Sequence, residues 1–92
     1  MTDSIDKILD ERGKQYGKFE DHAQVSQSLK VVIYGHLRAR GKGLAADQIE
    51  ALEMICHKMA RIINGNADFA DSWDDIAGYA KLVGDRLRGV AR

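Results

Sequence analysis

The apolar residues of this chain recur at spacings of three and four, and glycine alone punctuates them, because the sequence contains no proline. A period near 3.6 residues is typical of amphipathic helices, and glycine is typical of helix ends. The pattern therefore predicts an all-α protein, a four-helix bundle-like single domain that spans residues 1–92. The predicted helices cover about 4–16, 21–40, 45–64 and 71–90, with Gly17 and Gly65 closing the first and the third.

The last two predicted helices carry the clearest apolar stripes, and these stripes define the expected core. The third helix contributes Ile49, Leu52, Cys56, Met59 and Ile63. The fourth helix contributes Trp73, Ile76, Ala80, Val83 and Leu87. Asp71 or Ser72 is the expected N-cap of the fourth helix, and Ser72 with Asp75 matches a capping box.

Composition restricts the classes of function. Fourteen basic residues balance 14 acidic ones, so no overall field attracts nucleic acid, which is disfavoured as a partner. The single cysteine, Cys56, forms no internal disulfide, which fits a reducing compartment. The apolar runs are far shorter than the roughly 20 residues that cross a bilayer, and the N-terminus lacks the pattern of a signal peptide. We expect a cytoplasmic protein without a membrane partner.

A polar stripe lies opposite the apolar stripe of the third helix and holds the best candidates for chemistry. At about 100° per residue, Glu50, Glu53, His57 and Arg61 share this face. Two carboxylates three residues apart can converge on one hard cation such as Mg²⁺. The alternative is a solvated helix face whose acid and base residues form weak intrahelical pairs.

Two apolar residues, Met54 and Leu82, interrupt otherwise polar faces, and exposed apolar residues there favour a dimer or a bound ligand. The acidic faces of the third and fourth helices also point away from their own apolar stripes. They can meet only through a second subunit or a strongly tilted packing. The sequence therefore predicts a homo-oligomer of at least two chains.

Three motifs carry a resemblance to a known family: ILxERGxxYG at 8–17, EALEMIxHKMARIING at 50–65 and DSWxDIAGY at 71–79. Together they resemble short, mostly uncharacterised phage and prophage proteins. That family is similar to the MazG-type all-α nucleotide pyrophosphohydrolases, in which E-x-x-E and E-x-x-D on two helices hold Mg²⁺ against a nucleoside triphosphate. The resemblance implies Mg²⁺ binding by Glu50, Glu53 and Asp75. Ser72 stands at the place of the remaining acid, with Asp71 one position earlier.

Three hypotheses on function follow. In the first, the protein binds and sequesters a nucleotide without turnover, as a phage protein would do to a host immune signalling nucleotide; His57, Lys58 and Arg61 hold phosphates and Tyr79 stacks on the base. In the second, it is an Mg²⁺-dependent pyrophosphohydrolase whose metal supplies hydroxide. In the third, it is a helical inhibitor that binds a host protein.

Overall fold

The computed structural model describes residues 2–92, with the side chains from Ser4 onward, and all the regular secondary structure in this part of the chain is helical, without strands. Four helices follow one another: α1 (Thr2–Tyr16), α2 (Phe19–Ala39), α3 (Ala46–Asn64) and α4 (Ala70–Leu87). The all-α prediction is confirmed, and the arrangement is consistent with a helical bundle. None of the described helices is long and apolar enough to cross a membrane.

Helix α3 is the centre of the fold. It packs against α2 on one side and α4 on the other, whereas α1 contacts α2 and α3. The residues that these contacts bury are small: Ala51, Cys56 and Ala60 are the buried apolar residues of the described chain. Small side chains let helix axes approach closely, but they remove little apolar area from water.

Two predicted helix ends are confirmed. Helix α1 stops at Tyr16 because Gly17 takes a φ of 80°, a conformation that glycine adopts without steric cost. Helix α3 stops at Gly65, whose N–H donates to the carbonyl of Arg61 at 2.9 Å. The two ends touch, because the N–H of Asn66 donates to the carbonyl of Gln15 at 2.7 Å.

The predicted N-cap of the fourth helix is wrong. Helix α4 begins at Ala70 after Phe69, so Asp71 lies in the first turn and Ser72 is buried inside the helix. The capping box of Ser72 and Asp75 is therefore absent. The turn before the helix is organised instead by Asn66, whose side-chain oxygen accepts from the N–H of Asp68 at 3.0 Å. Phe69 then packs edge-on against Tyr16, with ring centroids 6.1 Å apart.

Much of the predicted core is open in a single chain. On α3, Cys56 is buried, but Ile63 is 63% exposed and Met59 is exposed too. On α4, Trp73 is 54% exposed and Leu87 is also exposed. The assignment of Trp73 to the core is therefore wrong for one chain; its indole N–H donates to the carbonyl of Ala67 at 2.8 Å.

Candidate functional site

The four residues of the polar stripe lie in different surroundings. Glu50 is exposed, whereas the other three are half-buried and contact neighbouring helices. The carboxylate of Glu53 accepts a hydrogen bond from the hydroxyl of Tyr34 on α2 at 2.8 Å. His57 meets a histidine of α2, and Arg61 lies against α1. The stripe is thus shared among several contacts and does not form one common site.

The predicted Mg²⁺ ligands are also separated by their contacts. Asp75 forms an ion pair with the buried Lys58, at 2.9 Å between ammonium and carboxylate. This contact joins a predicted metal ligand to a predicted phosphate ligand within one chain. Among residues 2–92, no group of three or more His, Cys, Asp or Glu side chains is placed to hold a metal ion.

Tyr79, the predicted stacking residue, is half-buried on α4 between two shallow cavities. One cavity of about 480 Å³ is lined by Asp75, and another of about 450 Å³ is lined by Glu50. Tyr79 and Leu82 line both. The structure therefore places Tyr79 near the acids and away from His57 and Arg61, which line a different cavity.

That cavity is a cleft of about 510 Å³ between the end of α1, the start of α2 and the second half of α3. Its polar and aromatic walls comprise Arg12, Lys18, Phe19, His22, His57 and Arg61. No carboxylate of the described residues lines it. We call it the cationic cleft. A cavity lined by one sign of charge concentrates ions of the opposite sign.

The short connection between α1 and α2 fixes the floor of the cationic cleft. The side-chain amide of Asn64 donates to the carbonyls of Tyr16 and Lys18, both at 3.0 Å. A Cβ on Gly17 would lie 2.5 Å from the carbonyl oxygen of Asn64, so this approach requires glycine. The contact holds Lys18 and Phe19 beside α3.

Arg61 is positioned by an aromatic ring and not by an acid. Its guanidinium carbon lies 4.1 Å from the centroid of the Tyr16 ring, a cation–π distance. Stacking on a ring leaves the N–H groups of the guanidinium free to bind an anion, because it uses the face of the group and not its edge.

Two histidines form the inner wall of the cationic cleft. Nε2 of His22 and Nδ1 of His57 are 3.2 Å apart, and the rings meet edge to face with centroids 4.6 Å apart. His22 is only 5% exposed, and its buried Nδ1 has no hydrogen-bond partner in the described chain. A buried polar atom without a partner costs roughly 1–3 kcal/mol, so it is retained where it has another role or a missing partner.

Burial and nearby cations keep this pair uncharged. Desolvation, followed by the charge of Arg61, lowers the pKa of His57 to about 4. The same two causes lower the pKa of His22. At neutral pH both imidazoles are therefore neutral, and the positive charge of the cleft comes from Arg12, Lys18 and Arg61.

Phe19 supplies an open aromatic surface at the rim. It is 78% exposed, and one side of its ring packs on His22 with centroids 5.9 Å apart and an interplanar angle of 28°. A phenyl ring held in this way can stack on a planar ligand group.

His57 and Arg61 were predicted as site residues from the sequence, whereas Arg12, Lys18, Phe19 and His22 were not. One signal was available for His22, which lies four residues before Ser26 and seven before Leu29, on the inward side of α2. Lys18 gave no such signal, because its place in the cleft depends on the contact between Gly17 and Asn64.

The fold and the cleft define an all-helical chain with a small anion-attracting site. Residues 1–87 match the sequence profile of DUF6378, a domain of unknown function, so the chain belongs to that family. Comparison with curated proteins and with solved structures finds no match. The family match carries no information on phage origin or on the MazG type, and both stay predictions.

Proposed function

We propose that the protein binds a nucleotide or a nucleotide-derived small molecule in the cationic cleft, without hydrolysing it. The observation that carries this proposal is a concave site with three cations, an open aromatic ring and no lining carboxylate among the described residues. Arg12, Lys18 and Arg61 would hold the phosphates. Phe19 would stack on the base, the role that the sequence had suggested for Tyr79.

Charge supports a phosphate ligand over a neutral one. Arginine presents a planar fork of N–H groups that matches phosphate oxygens, and Arg61 is already oriented by Tyr16. The volume of about 510 Å³ lies within the range of ordinary small-molecule sites. A neutral His57 can donate or accept one hydrogen bond to a sugar or base.

The same lining supports binding without turnover. Phosphoryl transfer by a pyrophosphohydrolase of the MazG type depends on Mg²⁺. Hard cations bind carboxylate oxygens, and no carboxylate of the described residues lines the cleft. A protein of this kind would lower the free concentration of its ligand. Together with the resemblance to phage proteins, this leads us to propose a counter-defence role, in which a host signalling nucleotide is sequestered.

One observation favours a second candidate, the Mg²⁺-dependent pyrophosphohydrolase. Tyr79 lines both the cavity at Asp75 and the cavity at Glu50, so these two acids lie on one side of the α3 and α4 pair. Mg²⁺ would have to displace Lys58 from Asp75 and Tyr34 from Glu53. Each displacement breaks a formed contact, which ranks this candidate second.

A thermal-shift panel tests the proposal. The full chain is melted with ATP, 3′,5′-cyclic AMP, inorganic phosphate and adenosine, each with Mg²⁺ and with EDTA, and each nucleotide is then recovered and chromatographed. We expect Tm to rise with the phosphate-bearing nucleotides, independently of Mg²⁺, with the nucleotide intact, because a ligand of the folded state stabilises it. Products that form only with Mg²⁺ would establish the second candidate, and the absence of both a Tm shift and any product contradicts both.

Variants locate the site. Arg12→Gln and Lys18→Gln each remove one charge-assisted contact, which is worth about 1.5–3 kcal/mol, so we expect binding at least about tenfold weaker. Lys14→Gln is the matched control, because it removes the same charge from α1 outside the cleft. Equal losses in all three variants would indicate a general charge effect and contradict a site in the cleft.

A further inference from the structure

One side of the molecule is apolar and uncovered. It consists of exposed or half-exposed residues of α2, α3 and α4, and we call it the open face: Val32, Leu52, Met59, Ile63, Trp73, Ala80 and Leu87. Five of its members are among the large exposed hydrophobic residues of the chain. Large exposed apolar patches on a folded protein mark interaction sites.

The α3 and α4 parts of the open face lie together at one edge of the helix pair. Two ion pairs, Lys58 with Asp75 and Arg86 with Asp47, bridge these helices at the other edge. At about 100° per residue, Met59 lies roughly 100° around α3 from Lys58, and Trp73 lies about 160° around α4 from Asp75. Both therefore point to the side without ion pairs.

Helix α2 extends the same face. Tyr34, which bonds to Glu53, marks the polar side of the α2 and α3 contact. Val32 is two residues away and lies about 160° around the helix from Tyr34, on the side of Met59. Apolar side chains of three helices thus face solvent on one side of the molecule.

The chain exposes more surface area than a compact monomer of its mass. It exposes 6734 Å², whereas a monomer of 10.2 kDa is expected to expose roughly 5,300 Å². The excess of about 1,400 Å² is more than the roughly 800 Å² that each partner buries in a stable interface. The radius of gyration of 15.6 Å likewise exceeds the value of about 12 Å for a compact domain of this length. No large side chain of the described residues is fully buried.

The chemistry of the face suits an identical partner. From Gln48 to Ile63, the stripe of α3 that carries Leu52 and Met59 contains no charged residue, and neither does the Trp73, Ala80 and Leu87 stripe of α4. Around a two-fold axis each residue meets the same patch on its partner, so any charge there would meet its like. The chain also has no net charge to repel a second copy.

We infer that the open face is the interface of a homodimer, in which a second copy completes the core that α2, α3 and α4 begin. Met59, Trp73 and Leu87 pack against the partner, and the helical stripes assigned to a core by periodicity are buried there. The cationic cleft lies at the opposite side of α3, at His57 and Arg61, and stays accessible. This inference concerns assembly and does not depend on the ligand of the cleft.

Light scattering coupled to size exclusion tests the inference on the full chain at micromolar concentration. We expect twice the mass of one chain for the wild type. Met59→Glu places like charges at the two-fold interface and is expected to raise the dimer dissociation constant at least a hundredfold. Val31→Glu is the matched control, since Val31 is exposed on the side of α2 away from the face. Ile8→Glu tests the exposed stripe of α1 as an alternative interface.

A second measurement needs no variant, because Trp73 is the only tryptophan. Its quenching by acrylamide is followed as the wild type is diluted, and we expect protection at high concentration that is lost with the dimer. A monomeric wild type overturns the inference. So does a dimer whose Trp73 is quenched as freely as in the monomer, or one that Ile8→Glu or Val31→Glu dissociates while Met59→Glu, shown helical by circular dichroism, does not.

Discussion

At the scale of single residues, burial keeps the histidine pair, His22 and His57, in the neutral form. His22 lies on the inward side of α2, and its ring is packed between Phe19 and His57. Both imidazoles have a lowered pKa because a proton would bring charge into a half-buried site beside Arg61. The positive charge of the cleft thus comes from Arg12, Lys18 and Arg61, and its inner wall is neutral.

This arrangement predicts a pH dependence of stability. The unfolded chain protonates His57 near pH 6.5 and the folded chain only near pH 4, so the unfolded state binds more protons between these values. The free energy of unfolding should therefore fall as pH is lowered from 6.5 towards 4, as measured by urea unfolding. Arg88 and Lys81 lower the pKa of Asp85 from its ordinary value of 3.8 to about 2. The stability that this carboxylate contributes is therefore lost only below about pH 3.8, as the pH falls towards 2.

Variants test whether the histidine pair causes this dependence of the unfolding free energy on pH. His22→Gln with His57→Gln should flatten the stability profile between pH 6.5 and 4, whereas His36→Gln, at an exposed histidine of α2, should leave it unchanged. A profile that is flat in the wild type, or equally steep in the double variant, would show that the pair does not remain neutral in the folded state.

At the scale of elements, the sequence predicted most of what local chemistry decides. Four helices were predicted and residues 2–92 form four, and the ends at Gly17 and Gly65 agree because glycine at a helix end is a local preference. The start of α4 was missed, since Phe69 is held by Tyr16, a contact between segments distant in sequence. The cationic cleft was half predicted for the same reason, because Arg12 and Lys18 join it only through the packing of α1 on α3.

The α1–α2 connection gives the prediction at this scale. Gly17→Ala forces a side chain into a left-handed conformation, which costs roughly 1–2 kcal/mol, and its Cβ also meets Asn64. We expect the free energy of unfolding to fall by at least that amount. Gly35→Ala is the control, because Gly35 lies inside α2 with nothing within 4 Å, and there alanine should stabilise by about 0.5–1 kcal/mol. Urea unfolding at one fixed protein concentration compares the two, and a neutral Gly17→Ala would mean that the connection is not held by Asn64.

At the scale of the whole molecule, the apolar periodicity of α3 and α4 predicted faces that avoid water, but a single chain leaves parts of these faces exposed. The apolar stripes of α3 and α4 were predicted to form a core, yet Ile63 and Trp73 are exposed. A hydrophobic period predicts that a helix face is buried, but it does not predict whether the same chain or another chain covers that face. The polar stripe and the apolar stripe of α3 are thus two separate surfaces, for which we propose a ligand on one side and a second copy on the other.

If the second copy completes the core, stability must depend on protein concentration. Unfolding of a dimer releases two chains, so each tenfold rise in concentration adds about 1.4 kcal/mol to the stability of the assembly. For two chains of 92 residues, that energy corresponds to a rise in Tm of about 3–4 °C per decade. Thermal unfolding followed by circular dichroism across two decades of concentration measures it. A Tm that stays constant over that range would mean that one chain folds alone with its open face in water.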